Sequence, residues 1–592
     1  MPTWQQLRDA RLTEFETAAD GWGKVSNRAD AARIRVDQEM SAPIRSTQKG
    51  EAQTSAEHDL AQLSRNYQYL HGECGLVRTT LNALASELSG AQKKLAQALD
   101  DAESLKFTVK EDGSVEYPRS AVVPLAPGGG VAEPGAPVPY LPGAGEANGD
   151  PNKGKAEEIA ERIAQAVNSA NEIDTRYARA LRALKSPHGL AVTDDMLRDE
   201  ADDTGTVQKA VGDYLGKDDI PRSKSPADNR KWWDGLTQEQ REEYQTLYPI
   251  EIGALDGLPS VVRDSSNRTV LDEAYAQAQH NLDQLGPEPP KQIATAGGGI
   301  MTNPQWTTWN ALGGSEYKNQ LKGMQAIRSR FDQTGVDGMP PAYLIGFDLK
   351  GNGHAILANG NPDTADNTAV YVPGTKSKLS GAGGDIGRMT KMWTEANSMA
   401  PGQSTSTITW IGYDAPQDIL LDSPRTSYAY DAAPKLNSFL DGLQTAQGGA
   451  DASHTTVIGH SYGTTVIGAA AKEHDLAADD IVVAGSPGML VGDADDLDVG
   501  KQHVWSEAAS SDPVPYMGRD FLGGQKWGVA TWHGVPYDAG YLTTIPSDEA
   551  FGAHRMDVDT SGHSGYWDQG SQSLKNQAAV VVGQYNKVQE DD

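Results

Sequence analysis

Gly459-His460-Ser461-Tyr462-Gly463 sets a serine between two glycines in the pattern G-x-S-x-G. In a chain with 63 glycines the five-residue pattern is a weak signal, and an ordinary Gly-Ser turn would satisfy it. Its setting says more. The β-branched run TTVI (455–458) precedes it, and TTVIGAAAKEH follows, starting with small residues and reading as a helix. Strand, sharp turn and helix are the context in which such a serine becomes an exposed nucleophile. Glycines at 459 and 463 leave space where strand and helix nearly collide, so that Ser461 can occupy a strained turn.

A serine hydroxyl attacks poorly at neutral pH unless a base takes its proton and a carboxylate orients the base. Both partners are therefore expected beyond Ser461, acid first. Asp512, in SSDPVP (510–515) directly after the strand-like run HVWSEAA (503–509), is the expected acid. The rivals Asp493, Asp495, Asp496 and Asp498 read more simply as a solvated acidic patch. His563, in the Gly-flanked loop SGHSGYW (561–567), is the expected base. His503 and His554 begin or lie within strands and read as packed side chains, and His533 in an aromatic loop is a weaker candidate. An oxyanion needs two backbone N–H donors. Tyr462 supplies one, and Gly374 or Thr375 in the loop after AVYV (369–372) the other, since Pro373 has none to give. The neighbouring GTKS (374–377) resembles a phosphate loop but lacks the full Walker spacing. His460 is a candidate pocket residue, and the aromatic stretch 516–550, with Trp527 and Trp532, is expected to wall an acyl pocket.

The elements that must position these residues follow from the apolar pattern. Eight apolar runs, at 342–348, 353–359, 369–372, 407–413, 455–459, 481–486, 503–509 and 551–558, read as strands. Helical patterns at 385–399, 429–445 and 463–474 alternate with them, which predicts a mainly parallel, doubly wound sheet. Such sheets hold their chemistry at the C-terminal strand ends. The N-terminal part differs in texture. Residues 4–101 are rich in helix formers, with Pro43 the single proline, and predict two long helices broken near 41–46. Their apolar stripe needs a third helix, expected at 156–184. The chain is thus divided into a helical hairpin (1–104), a small β-hairpin with a Pro/Gly-rich linker (105–152), the third helix (153–186), an exposed polar connection (187–230) and an α/β domain (231–592).

At 592 residues the chain is long enough for several domains. Its 51 Lys and Arg against 81 Asp and Glu give a net charge of −30, a field that repels nucleic acid and anionic surfaces. Cys74, the single cysteine, excludes an internal disulfide and Cys-rich metal sites. No metal or organic cofactor is required by the expected chemistry. The charged N-terminus lacks a Sec-type signal and no 18-residue apolar run occurs, so the expected location is the cytoplasm.

Together VYVPGT (370–375), WIGYDAP (410–416), VIGHSYGTTVIG (457–468), GSPGM (485–489), SSDPVP and SGHSGYW, with IGALDGLPSVVRDSSNR (252–268), make residues 230–570 resemble an actinobacterial branch of the α/β-hydrolase fold. That family has no settled substrate. The resemblance implies a nucleophile, acid and base at Ser461, Asp512 and His563, agreeing with the assignment made from the residues. It gives no role to 252–268, which is taken as a cover over the pocket. The helical half resembles, more loosely, the WxG-type hairpins of type VII secretion, through Trp22-Gly23 and the Tyr69/Glu73 pair; this implies a possible export route. The expected activity is serine hydrolysis of a carboxylic ester on a small or lipid-like substrate, ester being preferred to amide by fold analogy. Two alternatives stand beside it: an amidase or peptidase with the same triad, and a partner-binding, secretion-linked helical protein carrying a weak or dormant hydrolase.

Overall fold

The computed structural model describes residues 3–118, 137–139, 150–185, 191–212, 214–295, 298–419, 421–532 and 535–591, with side chains described except at 137–139 and 529–539. The Pro/Gly-rich linker falls mostly outside the described residues. The chain forms two compact units. One comprises Met1–Ala31, Tyr67–Leu190 and Asp199–Asp219; the other comprises Ala32–Asn66, Ala191–Arg198 and Ile220–Asp592.

In the first unit the N-terminal helices run antiparallel. Gln92 donates to the carbonyls of Leu7 and Ala10, each at 2.8 Å, and Ser26 Oγ donates to His71 O at 2.8 Å. The third helix, Pro151–Ala183, buries Ile159, Ile163, Ala166, Ala170, Ile173 and Tyr177 at three- or four-residue steps, the spacing of one helix face. Tyr177 donates to Glu87 at 2.6 Å, and Arg162 pairs with Asp101. Two expectations change. The first long helix does not break at 41–46: Leu12–Arg35 continues through a π-turn, Val36–Ser41, into Ala42–Thr47, and the chain turns at Gln48–Gly50. The wide turn shifts the carbonyl register and carries the helix past the missing N–H of Pro43. The stretch expected as an exposed polar connection contains the helix Asp194–Val211, which buries Glu200, Asp203, Val207 and Val211. Its charge density hid an apolar face of few residues.

The second unit is built on one eight-stranded sheet: β1 (Ala342–Asp348), β2 (His354–Asn359), β3 (Asn367–Val372), β4 (Thr405–Ile411), β5 (His454–His460), β6 (Asp480–Ala484), β7 (Val504–Glu507) and β8 (His554–Arg555). The order is β8-β7-β6-β5-β3-β4-β2-β1, and β2 alone runs antiparallel to its neighbours. Strands β3 to β7 are covered on both faces, which is why they read as continuous apolar runs rather than alternating ones. Helices α4 (Ser427–Gln447) and α5 (Tyr462–Glu473) pack on one face, in a core with Val457, Ile481 and Val483. Helices α3 (Ala382–Met399) and α7 (Gln572–Val581) pack on the other, with Tyr371, Ile458 and Val482. This is the doubly wound α/β-hydrolase fold, preceded in the chain by helices. The helix leaving β3 and the helix leaving β5 lie on opposite faces, so a crevice opens between the C-terminal ends of these two strands.

The segment 252–268 does not cover the pocket. Helix α1, Ser260–Leu285, lies along the free edge of β1 and packs on α2, Gly314–Asp332. There Asp264 accepts from Leu344 N–H at 2.7 Å, Asn267 donates to Leu344 O at 3.0 Å, and Arg268 donates to Ala342 O at 2.8 Å. Side chains thus replace the missing neighbour strand and keep the edge from templating another chain.

Candidate active site

Ser461 follows β5 and has φ 54°, ψ −128°, a region that residues other than glycine rarely occupy. The tightness of the turn explains its glycines: a Cβ at Gly463 would overlap Val372 O, and one at Gly459 would lie 2.9 Å from Thr464 Cα. Ser461 N–H donates to Ala484 O at 3.1 Å, and Ser461 O accepts from Thr464 N–H at 3.0 Å. The turn is therefore tied to β6 and to the start of α5. Among the described residues the Ser461 hydroxyl makes no hydrogen bond; the residue lines a cavity of about 620 Å3 at the strand ends.

The loop after β3 presses on the same turn. A Cβ at Gly374 would come within 2.6 Å of His460 O, 2.7 Å of Ser461 Cβ and 2.9 Å of Tyr462 N, so only glycine fits. The N–H groups of Gly374, Thr375 and Tyr462 have no backbone acceptor among the described residues, and Tyr462 is the first residue of α5, where an N–H has no partner within its helix. Those three donors border the space in front of Ser461. Tyr462 is further pinned by its hydroxyl, which donates to Arg425 O.

His563 also lines the cavity, from the loop that follows β8. Its Nδ1 lies 2.8 Å from Asp512 Oδ2. A carboxylate can only accept there, so Nδ1 is the donor of that bond. The Asp512 side chain is fully buried. Burial alone would raise its carboxyl, but hydrogen bonds from His563, Val514 N–H (3.0 Å) and the Tyr566 hydroxyl (2.7 Å) outweigh burial and hold it below the usual carboxylate range. Tyr566 is fixed in turn because it accepts from Ala509 N–H at 3.1 Å. Nothing in the spacing of SGHSGYW marked Tyr566 as the second support of the acid.

His460 lines the cavity as expected and stays uncharged: burial first, then the charges of Arg388 and His563, push it well below the ordinary histidine value. Its Nε2 donates to His563 O at 2.7 Å, and its ring lies 4.6 Å from the His563 ring, so it props the loop that carries the histidine. The rival groups are occupied elsewhere. Asp493 pairs with Lys526 and Asp495 with Lys501; His503 pairs with Asp480, and His554 stacks on Trp505 at 4.5 Å. Trp527 does not line the cavity. It sits in a two-stranded ribbon (Gly524–Trp532 with Val535–Thr544), about half exposed, with its ring edge-on to Tyr541. His533 and the side chains of Trp532 and Tyr537 lie outside the described residues. The apolar wall comes instead from α6 (Val514–Leu522), through Val514, Met517, Phe521 and Leu522. The first three recur at i, i+3 and i+7, a helical stripe that was readable directly after Asp512.

Residues 348–521 match the family described as alpha/beta hydrolase, a span that includes Ser461 and Asp512 and stops short of His563. Two uncharacterized proteins of Mycobacterium tuberculosis, from strains CDC 1551 / Oshkosh and ATCC 25618 / H37Rv, are each 28% identical to the chain over 382 residues. The matches cover 60% of this chain and 55% of each relative, so the chain spans about half the length of the curated relatives it matches. No solved structure matches at a significant level.

Proposed function

We propose that the second unit is a serine hydrolase that cleaves a carboxylic ester through an acyl-enzyme on Ser461. The observation that carries this reading is Ser461 at positive φ on the cavity wall, with His563, bonded to Asp512 behind it, lining the same cavity. In the proposed reaction His563 Nε2 takes the Ser461 proton as Oγ adds to the ester carbonyl. The developing oxyanion receives N–H bonds from Tyr462 and from Gly374 or Thr375. The alcohol departs with the proton held on His563, leaving an acyl group on Ser461. A water molecule then gives its proton to His563 and attacks the acyl carbon, and Ser461 recovers its proton as the acid is released. Asp512 holds the imidazole in the tautomer that both halves require. The match to an alpha/beta hydrolase family supports hydrolysis, and the apolar α6 wall favours an acyl group.

Labelling by a fluorophosphonate probe tests the assignment. Wild type is expected to label, and Ser461→Ala and His563→Ala are expected to lose labelling while keeping the wild-type circular dichroism spectrum. Persistent labelling of Ser461→Ala would place the nucleophile elsewhere.

A further inference from the structure

We propose that the cavity contains a subsite for an anionic group, so that the ester it takes is amphiphilic, with an acyl chain along one wall and a phosphate- or carboxylate-bearing head along the other. The cleavage of such a substrate rests on the reading of Ser461 given above; its binding does not.

The two walls have opposite chemistry because they come from opposite faces of the sheet. The apolar wall belongs to α6, whose Leu522 packs in the core with α4 and α5. Met517 and Phe521 line the cavity and are still 59% and 60% exposed, so this wall continues outward at the mouth. The other wall is formed by the loop after β3 and the start of α3, on the opposite face, and contributes Lys376, Gly381, Gly384, Asp385 and Arg388.

Three features of that wall suit an anion. Lys376 is exposed and has no ion-pair partner among the described residues; its backbone is held at φ 71°, with its N–H bonded to Pro416 O at 2.7 Å. Arg388 uses Nη1 on the Tyr371 hydroxyl (2.6 Å) and on Asp385 (3.1 Å), and its guanidinium lies 4.9 Å from the centre of the Trp567 ring. Among the described residues no hydrogen bond engages its Nε or Nη2, and Arg388 lines the cavity. The third feature is the positive end of α3, an 18-residue helix entered through the turn Leu379–Gly381, where the N–H groups of Gly381 and Ala382 bond Lys378 O and Leu379 O. Gly381 and Gly384 line the cavity there, where the helix dipole favours negative charge. Lys376 and Arg388 face the single acid Asp385, a local excess of positive charge in a chain of net charge −30. A neutral ester would leave this arrangement unused. The GTKS stretch, which lacks Walker spacing, gains a role here as the segment that brings Lys376 to the cavity.

The test uses the full chain and three decanoyl esters below their micellar concentrations: 1-decanoylglycerol, 1-decanoylglycerol 3-phosphate and decanoylglycerate. Both anionic esters are expected to exceed the neutral one in kcat/KM by about tenfold, a difference of about 1.4 kcal/mol. That ratio should fall toward one in Lys376→Asn, which tolerates the left-handed backbone, and lower still in Lys376→Glu. The phosphate and carboxylate arms separate the two sources of charge. Equal or better turnover of the neutral ester by wild type would overturn the subsite, as would a ratio unchanged in both folded variants. Calorimetry with 1-O-decylglycerol and 1-O-decylglycerol 3-phosphate, which cannot be hydrolysed, decides the subsite if no ester is turned over. Tighter binding of the phosphate ether, lost in Lys376→Glu, would uphold the subsite while the hydrolase reading fails, whereas equal binding of the two ethers would overturn it.

Discussion

Asp512 shows how a buried acid can remain charged. Its side chain is sealed from solvent, yet three donors converge on its two oxygens, and their sum exceeds the cost of desolvation. Replacement by Asn keeps the shape and gives His563 the wrong proton arrangement. Under the proposed mechanism Asp512→Asn should lower kcat by about 10⁴ with little change in KM. The same residue predicts a pH dependence. A carboxyl whose folded pKa is depressed contributes stability above its unfolded pKa of about 3.9, and that contribution is lost as pH falls through the folded value. The stability gap between wild type and Asp512→Asn, measured by denaturant titration, should therefore be constant above about pH 5 and shrink below about pH 4. A gap that widens on acidification would contradict the assigned direction.

Among the elements, α1 has the least expected role. Its hydrophobic residues gave no clear stripe, and its buried positions include Ser260, Arg263, Asp264, Ser266 and Asn267, an unusual set for a helix on a sheet. The explanation is the strand it covers: an edge strand offers carbonyls and N–H groups, and polar side chains satisfy them better than apolar ones. Asn267→Ala should leave Leu344 O and Gly253 O without this donor and destabilise the unit by about 1 to 3 kcal/mol. An unchanged denaturation midpoint would show that water replaces the amide. Helix α6 makes the complementary case. Its stripe Val514, Met517 and Phe521 faces a cavity, and at the mouth two of these side chains stay half exposed.

At the scale of the molecule, the compact units do not follow the chain. Ala32–Asn66 belongs to the unit that holds the sheet, where Arg45 bonds Asp332 at 2.9 Å and Ala42 packs against Gly335. A chain beginning near residue 187, the cut that the sequence pattern offers for isolating the α/β domain, therefore removes part of its own unit. Such a chain is expected to melt about 5 °C or more below the full protein by calorimetry. Equal melting temperatures would show that Ala32–Asn66 adds nothing to the sheet unit. No helix among the described residues is long and apolar enough to cross a membrane.

What was legible in the sequence is what local spacing controls. Eight apolar runs became eight strands of one sheet, and the five central ones, β3 to β7, are buried on both faces, which selects apolar residues along the strand. The strained turn at Ser461 was readable because Gly459 and Gly463 are demanded by backbone contacts within a few residues and with the adjacent strand. The tertiary structure alone decided which groups meet across long separations. It brought His563 to Asp512 rather than to the acidic patch, added Tyr566 beneath the acid, and set α1 along β1 instead of over the pocket. It also made one cavity from an apolar wall on α6, after β7, and a cationic one after β3, 100 or more residues apart in the chain, by bringing both to the C-terminal ends of the strands. Periodicity records which side of an element is buried, whereas its partner is fixed by through-space packing that no local pattern encodes.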